Sequence, residues 1–534
     1  MKRKLLTALL CGALMLTSLA GCGQGAENQS GTSAGGESAV KDELVFVNYR
    51  DIRDLNPHLY AGEMYAQSIL YDTLVSNTSE GYVGCLAEDW TISEDGRTYT
   101  FNIRDGVTFS DGTPCDANAI LANFNAILEN RERHTWLEMM NLLVGVSAPD
   151  DDTFVIEMSE PYYPMLTELA CIRPFAMISP NCMIDGSTKD GVNGYIGTGP
   201  YVLTDFVTDE YAVFERNENY WGEKPAIRKI TVKVIPDNQT RIMALENGEI
   251  DLIFGKNMLD ADAISQYVDS DKFTVGLSDP TSTRHIVLNT THDILGDKSV
   301  RQALQHATNR QAISEGIFYG LEPAADTLYS TTVPYCDVDL EPYAYDADEA
   351  ARLLDEAGWI MGSDGVRAKD GQKLALDLLY NSDSVTEKTI SEYLQSEYLK
   401  LGISLNIHGE EEQSYRDNMK AGNFDMVFNI CWGMPYDPQS SLAAMRAPVY
   451  GDYAAQQGLE DKVEIDQAIT DILTSTDETK RQELYTFVLT RLHEDAVYIP
   501  LTFETNKALY TSDLKGVHFG TDQYDVDFAS MYFE

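Results

Sequence analysis

Strand-like and helix-like segments alternate from Leu44 to the C-terminus, and that alternation restricts the chain to the α/β class. ELVFVNYR, from Glu43, shows a strand's alternation of apolar and polar side chains. TYTFNIRDGVTFSDG reads as two short strands around turns. Pro114 and Asp116 then open a helix, with Asp116 at the N-cap, and Ile120, Phe124, Ile127 and Leu128 fall on one face of it. DTFVIEM is another strand, and KITVKVI is a buried one after which Asp237 begins the helix DNQTRIMALENGE. HIVLNT is a strand followed by one helix, KSVRQALQHATNRQAI, and AYDADEAARLLDEAGW carries a capped helix ending at Gly358. LALDLLY and ISLNIHG are strands flanking a long amphipathic helix, and FDMVFNICW is a third strand. No repeat of solenoid length is present.

The N-terminus is of a different kind. Lys2, Arg3 and Lys4 give a basic start, Leu5 to Leu19 an apolar run, and Leu19-Ala20-Gly21-Cys22 a lipoprotein cleavage box. Residues 1–22 therefore read as a secretory signal, with Cys22 carrying the lipid and becoming the mature N-terminus. The competing reading is an uncleaved anchor, but the run is short for a membrane span and the box is complete. Residues 23–43 are rich in Gly, Ser and polar side chains and form a flexible tether. About 490 residues remain, enough for two or more domains. No second long apolar stretch follows Cys22, so the body reads as soluble, outside the cytoplasm and tethered to a membrane.

The net charge is −46, which argues against nucleic acid or an anionic membrane surface as partner. The acids are dispersed, as on a solvated surface, rather than clustered. Of eight cysteines, Cys11 leaves with the signal and Cys22 takes the lipid. The other six form no C-x-x-C pair, so zinc-ribbon and thioredoxin readings fail. They fit either buried free thiols or, for two of them, a Cys171–Cys182 bridge. From Leu44 onward there is no G-x-S-x-G, H-E-x-x-H or G-x-x-x-x-G-K-S/T pattern, and acids and histidines lack a catalytic spacing, so the chain reads as no enzyme and needs no cofactor.

LAEDWTISEDGRTYTFNIRDGVTFSDGTPCDA, IGTGPYVL, RNENYWGEKPAI, ENGEIDLI, VRQALQHATNR and AARLLDEAGW together carry a resemblance. The chain resembles family 5 extracellular solute-binding proteins of ABC transporters, the oligopeptide and nickel class, from about Leu44 to the C-terminus. LNPHLY with MYAQS, NRERHTWLE, ELACIRPF, WGMPYDP and AAMRAP are similar to the nickel-binding branch. The resemblance implies a type II periplasmic-binding-protein fold of cluster C. It has two lobes and a hinge: lobe I at 44–283 with 505–534, carrying an extra subdomain near 85–195, and lobe II at 284–504. Ligand would lie between the lobes, which close around it as a population shift.

A small hydrated cation is easier to seize as a chelate, whose carboxylates need cations and whose faces need aromatic walls. The resemblance implies Arg173 as the carboxylate anchor, two-pronged as guanidinium allows. A structural ion pair is the alternative for an Arg in the apolar stretch ACIRPF. Arg133 and Trp136, three apart, would share a helical face, and the resemblance puts both in the cleft. His134 between them reads as structural, as does His58. Trp432 and Tyr436 would supply an aromatic wall and a hydroxyl donor, against core packing as the alternative. Tyr60 and Met64 match cleft-lining positions. The nickel pattern has a coordinating histidine where this chain has Tyr450, and no histidine lies between His408 and His493. A phenol titrating near ~10 is a poor nickel ligand. Thiolate ligation by Cys171 or Cys431 ranks below buried packing, although strand alternation would place Cys171 and Arg173 on one face.

The expected function is capture of a nickel or related metal chelate, with a small chelator such as L-histidine, and delivery to an ABC permease and its ATPase by a lipid-anchored monomer. Capture of oligopeptides on the same fold is the alternative.

Overall fold

The computed structural model describes residues 41–534 apart from 79–80, 256–257, 432–437 and 521–522. The signal, Cys22 and most of the tether therefore lie outside the described residues.

One ten-stranded mixed sheet organises the molecule. In spatial order its strands are Tyr201–Val207, Tyr211–Arg216, Lys229–Val234, Glu43–Asn48, Leu252–Phe254, Tyr498–Thr511, Phe273–Leu288, Met426–Cys431, Ala375–Asn381 and Ser404–Glu410. Glu43–Asn48 runs parallel to both its neighbours, and Ala375–Asn381 to both of its own. Both strands are largely buried, which is why they read as mostly apolar runs.

Two strands are much longer than the rest. Phe273–Leu288 has 16 residues and Tyr498–Thr511 has 14, and they pair antiparallel along most of their length. Their register shifts on either side of Pro280, where a residue without an N–H cannot donate to the ladder. Before Pro280 the pair is flanked by Leu252–Phe254, and after it by Met426–Cys431. The sheet thus passes from one set of neighbours to the other across a two-strand ribbon with a flaw in the middle.

Separate cores flank this ribbon. Phe46, Tyr65, Tyr71, Tyr201, Phe214 and Phe528 share one, and Trp359, Leu378, Tyr398, Met426 and Leu501 another. A third lies under a four-stranded antiparallel sheet of Ala87–Ile92, Thr98–Ile103, Thr153–Met158 and Leu143–Ser147. The Ala117–Glu129 helix covers it. The Asp116 carboxylate caps that helix by accepting the Ala119 N–H at 2.9 Å. Ile120, Phe124 and Ile127 point inward, with Phe124 4.8 Å from the Phe154 ring. Each such fully buried side chain contributes about 1.5–3 kcal/mol.

The inserted sheet also reaches the far half of the chain. Tyr163, just beyond its third strand, donates its N–H to Leu473 O at 3.0 Å and its hydroxyl to Glu478 at 2.7 Å. The fully buried Arg481 guanidinium lies 3.4 Å from the centre of the Tyr163 ring.

Three sequence expectations are corrected. The second strand expected after TYTFNI does not form, leaving only a bridge from Thr108 to Pro114. KSVRQALQHATNRQAI is two helices, Lys298–Ala307 and Arg310–Phe318. The Thr308 hydroxyl bonds Leu304 O, and the Asn309 side chain caps the second helix. Cys171 and Arg173 are not on a strand: Arg173 falls inside the kinked Ile172–Phe175 turn. Of the two readings of the cysteines, buried thiols hold: all six in the body are buried and outside any disulfide, Cys171 and Cys182 included.

Gly197 and Gly199 of IGTGPY press against the Leu70 carbonyl. A Cβ at Gly197 would meet that oxygen at 2.0 Å and the Tyr71 ring at 2.4 Å. Gly197→Ala should lower stability by about 2–3 kcal/mol in urea unfolding, and an unchanged midpoint would contradict this packing.

Candidate functional site

A cleft of about 1210 Å³ opens between the two ends of the ribbon. One wall comes from residues 46–65, 133–136, 173, 236–258 and 523–526, and the other from residues 381–450. Tyr60, Met64, Arg133, Trp136, Arg173 and Tyr450 all line it. Trp432 and Tyr436 lie outside the described residues.

The first wall is built at the end of the Ala117–Glu129 helix. The chain tightens there into a 3₁₀ turn, Arg131–His134. Arg131 is spent on structure, donating to Met140 O at 2.6 Å and Leu143 O at 2.7 Å. Arg133 is exposed and makes no ion pair among the described residues. The expected helical face shared by Arg133 and Trp136 does not exist, because the turn ends at His134, before Trp136. Both side chains reach the cleft all the same.

His134 is fully buried, and its Nδ1 lies 2.7 Å from the Tyr60 hydroxyl. Trp136, 46% exposed, donates its indole N–H to that hydroxyl at 2.7 Å. The Tyr60 and Trp136 rings meet edge to face, 6.1 Å apart. Burial, with the Arg133 charge beside it, pulls His134 down to about 4. Burial pushes Tyr60 up to about 12. Both are therefore neutral at physiological pH. Arg173 donates to Gly62 O at 3.2 Å, and its guanidinium lies 5.9 Å from the Tyr60 ring centre. Met64, 7% exposed, opens the Met64–Leu70 helix.

The second wall carries Asn381, Glu387, Glu412, Tyr415, Arg416, Asn429 and Tyr450. Arg416 pairs with Glu412 one helical turn away, and Glu412 also accepts from Asn381 at 2.5 Å. Glu387 accepts the Asn381 N–H at 2.9 Å, and burial raises its pKa. Tyr450 begins the Gly451–Ala455 helix, and burial raises its phenol against the pull of the Arg416 charge. It stays protonated, a poor metal ligand.

Charges missed in the sequence also line the cleft. Arg50 and Glu63 pair at 2.5 Å. Arg241, almost fully buried, donates to the carbonyls of Met258, Ile235 and Pro236. A chain with 85 acids gives no local mark to Glu63, Glu387 or Glu412. Asn381 was within reach, because ligands gather beyond the carboxyl ends of parallel strands.

His58 is buried between Thr188 and Ala176 O, at 2.9 and 3.2 Å. Neither Cys171 nor Cys431 lines the cleft, and burial drives the Cys431 thiol far from ionisation. No three His, Cys, Asp or Glu side chains among the described residues are grouped to hold a metal ion.

A sequence model for bacterial extracellular solute-binding proteins, family 5 Middle, matches residues 81–452. The chain belongs to this family. The family 5 protein is 40% identical over 499 residues to the nickel-binding periplasmic protein of Escherichia coli K12, covering 92% of this chain and 95% of that one. NikA from Brucella suis, crystallised in complex with Fe(III)-EDTA, superposes with a TM-score of 0.89 at 43% identity over 92% of this chain and all of that one. The dipeptide-binding protein of E. coli K12 is more distant, 26% identical over 506 residues, 89% of this chain and 91% of that one. The fold is the type II periplasmic-binding fold of the family.

One half-buried acid braces the family 5 protein's first wall. Glu168 accepts the N–H groups of Glu138 and Met139, at 3.2 and 3.1 Å, and the Tyr162 hydroxyl at 2.5 Å. It thereby caps the helix that follows Trp136. Burial pushes Glu168 up from 4.5 to about 7, outweighing those donors. The folded state holds this proton more tightly than the unfolded chain. Its contribution to stability is therefore full below pH 4.5 and lost as pH rises through about 7. Urea midpoints should fall from pH 5 to pH 8, and Glu168→Gln should flatten part of that fall. Equal slopes in the two proteins would contradict the shift.

Proposed function

We propose that this protein captures a nickel or related transition-metal chelate in its cleft and delivers it to an ABC permease and ATPase. The observation that carries the reading is the first wall: Arg133 and Arg173 beside the Tyr60 and Trp136 rings. Guanidinium groups match carboxylates in two-point fashion, and aromatic faces cover the apolar flanks of a small chelator. A bare ion would need several protein donors, whereas a chelate brings its own. Tyr450 in place of an imidazole fits a chelate already complete, such as nickel with L-histidine. The E. coli relative named for nickel and the Brucella neighbour holding an aminopolycarboxylate chelate support the same class. The dipeptide-binding relative keeps oligopeptide capture as the alternative.

Trp432 would supply an aromatic wall and Tyr436 a hydroxyl donor, and Met64 would line the cleft. The lobes would be residues 44–283 with 505–534, and residues 284–504, a division supported by the ladder flaw at Pro280. Ligand touching both walls favours the closed form, which the permease recognises. The basic start, apolar run and Cys22 box support a secreted, lipid-anchored monomer facing the cell exterior or periplasm.

Calorimetric titration separates the readings, using nickel alone, nickel with excess L-histidine, Fe(III)-EDTA and a pool of short peptides. Heat with a chelate but not with bare nickel supports the proposal. Binding of peptides without metal moves the protein to the oligopeptide class. Arg173→Ala should weaken chelate binding by about 30-fold or more, as expected for removing one partner of a charge-assisted pair, with an unchanged thermal midpoint. Unchanged affinity would remove Arg173 from the site.

A further inference from the structure

The Tyr60 hydroxyl sits between two nitrogens, and what it offers a ligand depends on which of the three atoms carries each proton. The Trp136 indole nitrogen is only ever a donor, and it lies 2.7 Å from the Tyr60 oxygen. The remaining choice belongs to His134. If the imidazole proton is on Nε2, Nδ1 accepts the Tyr60 proton and the phenol has nothing left to donate. If the proton is on Nδ1, the imidazole donates to Tyr60 across the 2.7 Å contact.

Burial decides between the two. His134 is 0% exposed, and its Nε2 has no hydrogen-bond partner among the described residues. A proton on Nε2 would be a buried N–H without an acceptor, among the rarest defects in folded proteins. A bare lone pair at the same place is the milder defect. The imidazole is also held neutral by its burial, so one nitrogen must go without a proton.

We propose that His134 is a positioning residue that, as the Nδ1–H tautomer, donates to Tyr60 and turns the Tyr60 O–H into the cleft as a donor for an anionic ligand oxygen. With His134 and Trp136 both donating, the acceptor positions of the phenol are filled and its proton is left for the ligand. Two donors on one oxygen also polarise its O–H bond. Tyr60 then acts beside Arg173 as a neutral donor next to a charged one. This rests on the chelate reading of the cleft, but the tautomer itself can be read without ligand.

The first experiment is two-bond ¹H–¹⁵N correlation of the histidine side chains in the labelled protein at pH 7. His134 is assigned as the neutral histidine whose signals move in Tyr60→Phe. A pyrrole-type Nδ1 and a pyridine-type Nε2 are expected. The reverse pattern overturns the proposal. The second experiment is titration with Fe(III)-EDTA and with nickel plus excess L-histidine. Tyr60→Phe and His134→Leu should each weaken binding about tenfold, the scale of one hydrogen bond to a charged group. His134→Asn, which keeps an N–H near the Nδ1 position, should stay within about threefold of the parent. Equal losses in the Leu and Asn variants, with thermal midpoints near the parent's, would overturn the positioning role. If His134→Leu does not fold, the Tyr60→Phe titration and the tautomer still decide. Failure of the chelate reading looks different: no variant, Arg173→Ala included, then alters chelate binding, while the tautomer result stands.

Discussion

The antiparallel ribbon of Phe273–Leu288 and Tyr498–Thr511 is the interaction on which the rest of the molecule depends. All eight other strands of the main sheet lie to one side of it or the other. Five are reached through Leu252–Phe254 and three through Met426–Cys431. The cleft walls follow the same division, with residues up to 258 and beyond 523 on one side and residues 381–450 on the other. The ribbon also carries a network of largely buried charge. Arg284, next to the register shifts, pairs with Glu504 on the other strand and lies 3.7 Å from Glu322, which Lys507 meets at 3.2 Å. Such a network is strongly destabilising to break singly, because each loss leaves another charge buried alone.

Among the described residues the cleft is lined by five guanidinium groups in different settings. Arg50 faces Glu63, Arg416 faces Glu412, and Arg241 is saturated by carbonyls. Arg133 is exposed and makes no ion pair among the described residues, and Arg173 bonds a backbone carbonyl beside it. In a chain with a net charge of −46, five guanidinium groups against three carboxylates along one cleft, among the described residues, are a local excess of cations.

Much of the fold was legible because caps and periodicity are local. Asp116, Asp237 and Asp346 each cap the helix that their sequence announces. The long Phe273–Leu288 strand was read only from HIVLNT. Gly276, Ser278, Asp279 and Pro280 are poor strand formers, and they extend because Tyr498–Thr511 lies beside them. The site divides in the same way. Arg133, Trp136 and Arg173 were marked by motif, but the reason given for the first two, a shared helical face, was wrong because the turn is 3₁₀ and short. The pairing of Tyr60 with His134 spans 74 residues, and that of Glu168 with Met139 spans 29. No window on the sequence contains either pair, and single histidines and glutamates carry no sign of their partners.

Tyr163 has a consequence for motion rather than for affinity. It joins the inserted sheet to the Lys462–Thr474 and Glu478–Glu494 helices, through Leu473, Glu478 and a guanidinium pressed against its ring. Neither Tyr163 nor Arg481 lines the cleft. A motion that parts these segments must withdraw the ring from a fully buried cation, a contact worth about 0.5–2 kcal/mol. The clasp is thus a restraint on the separation of these two segments that no side chain lining the cleft supplies.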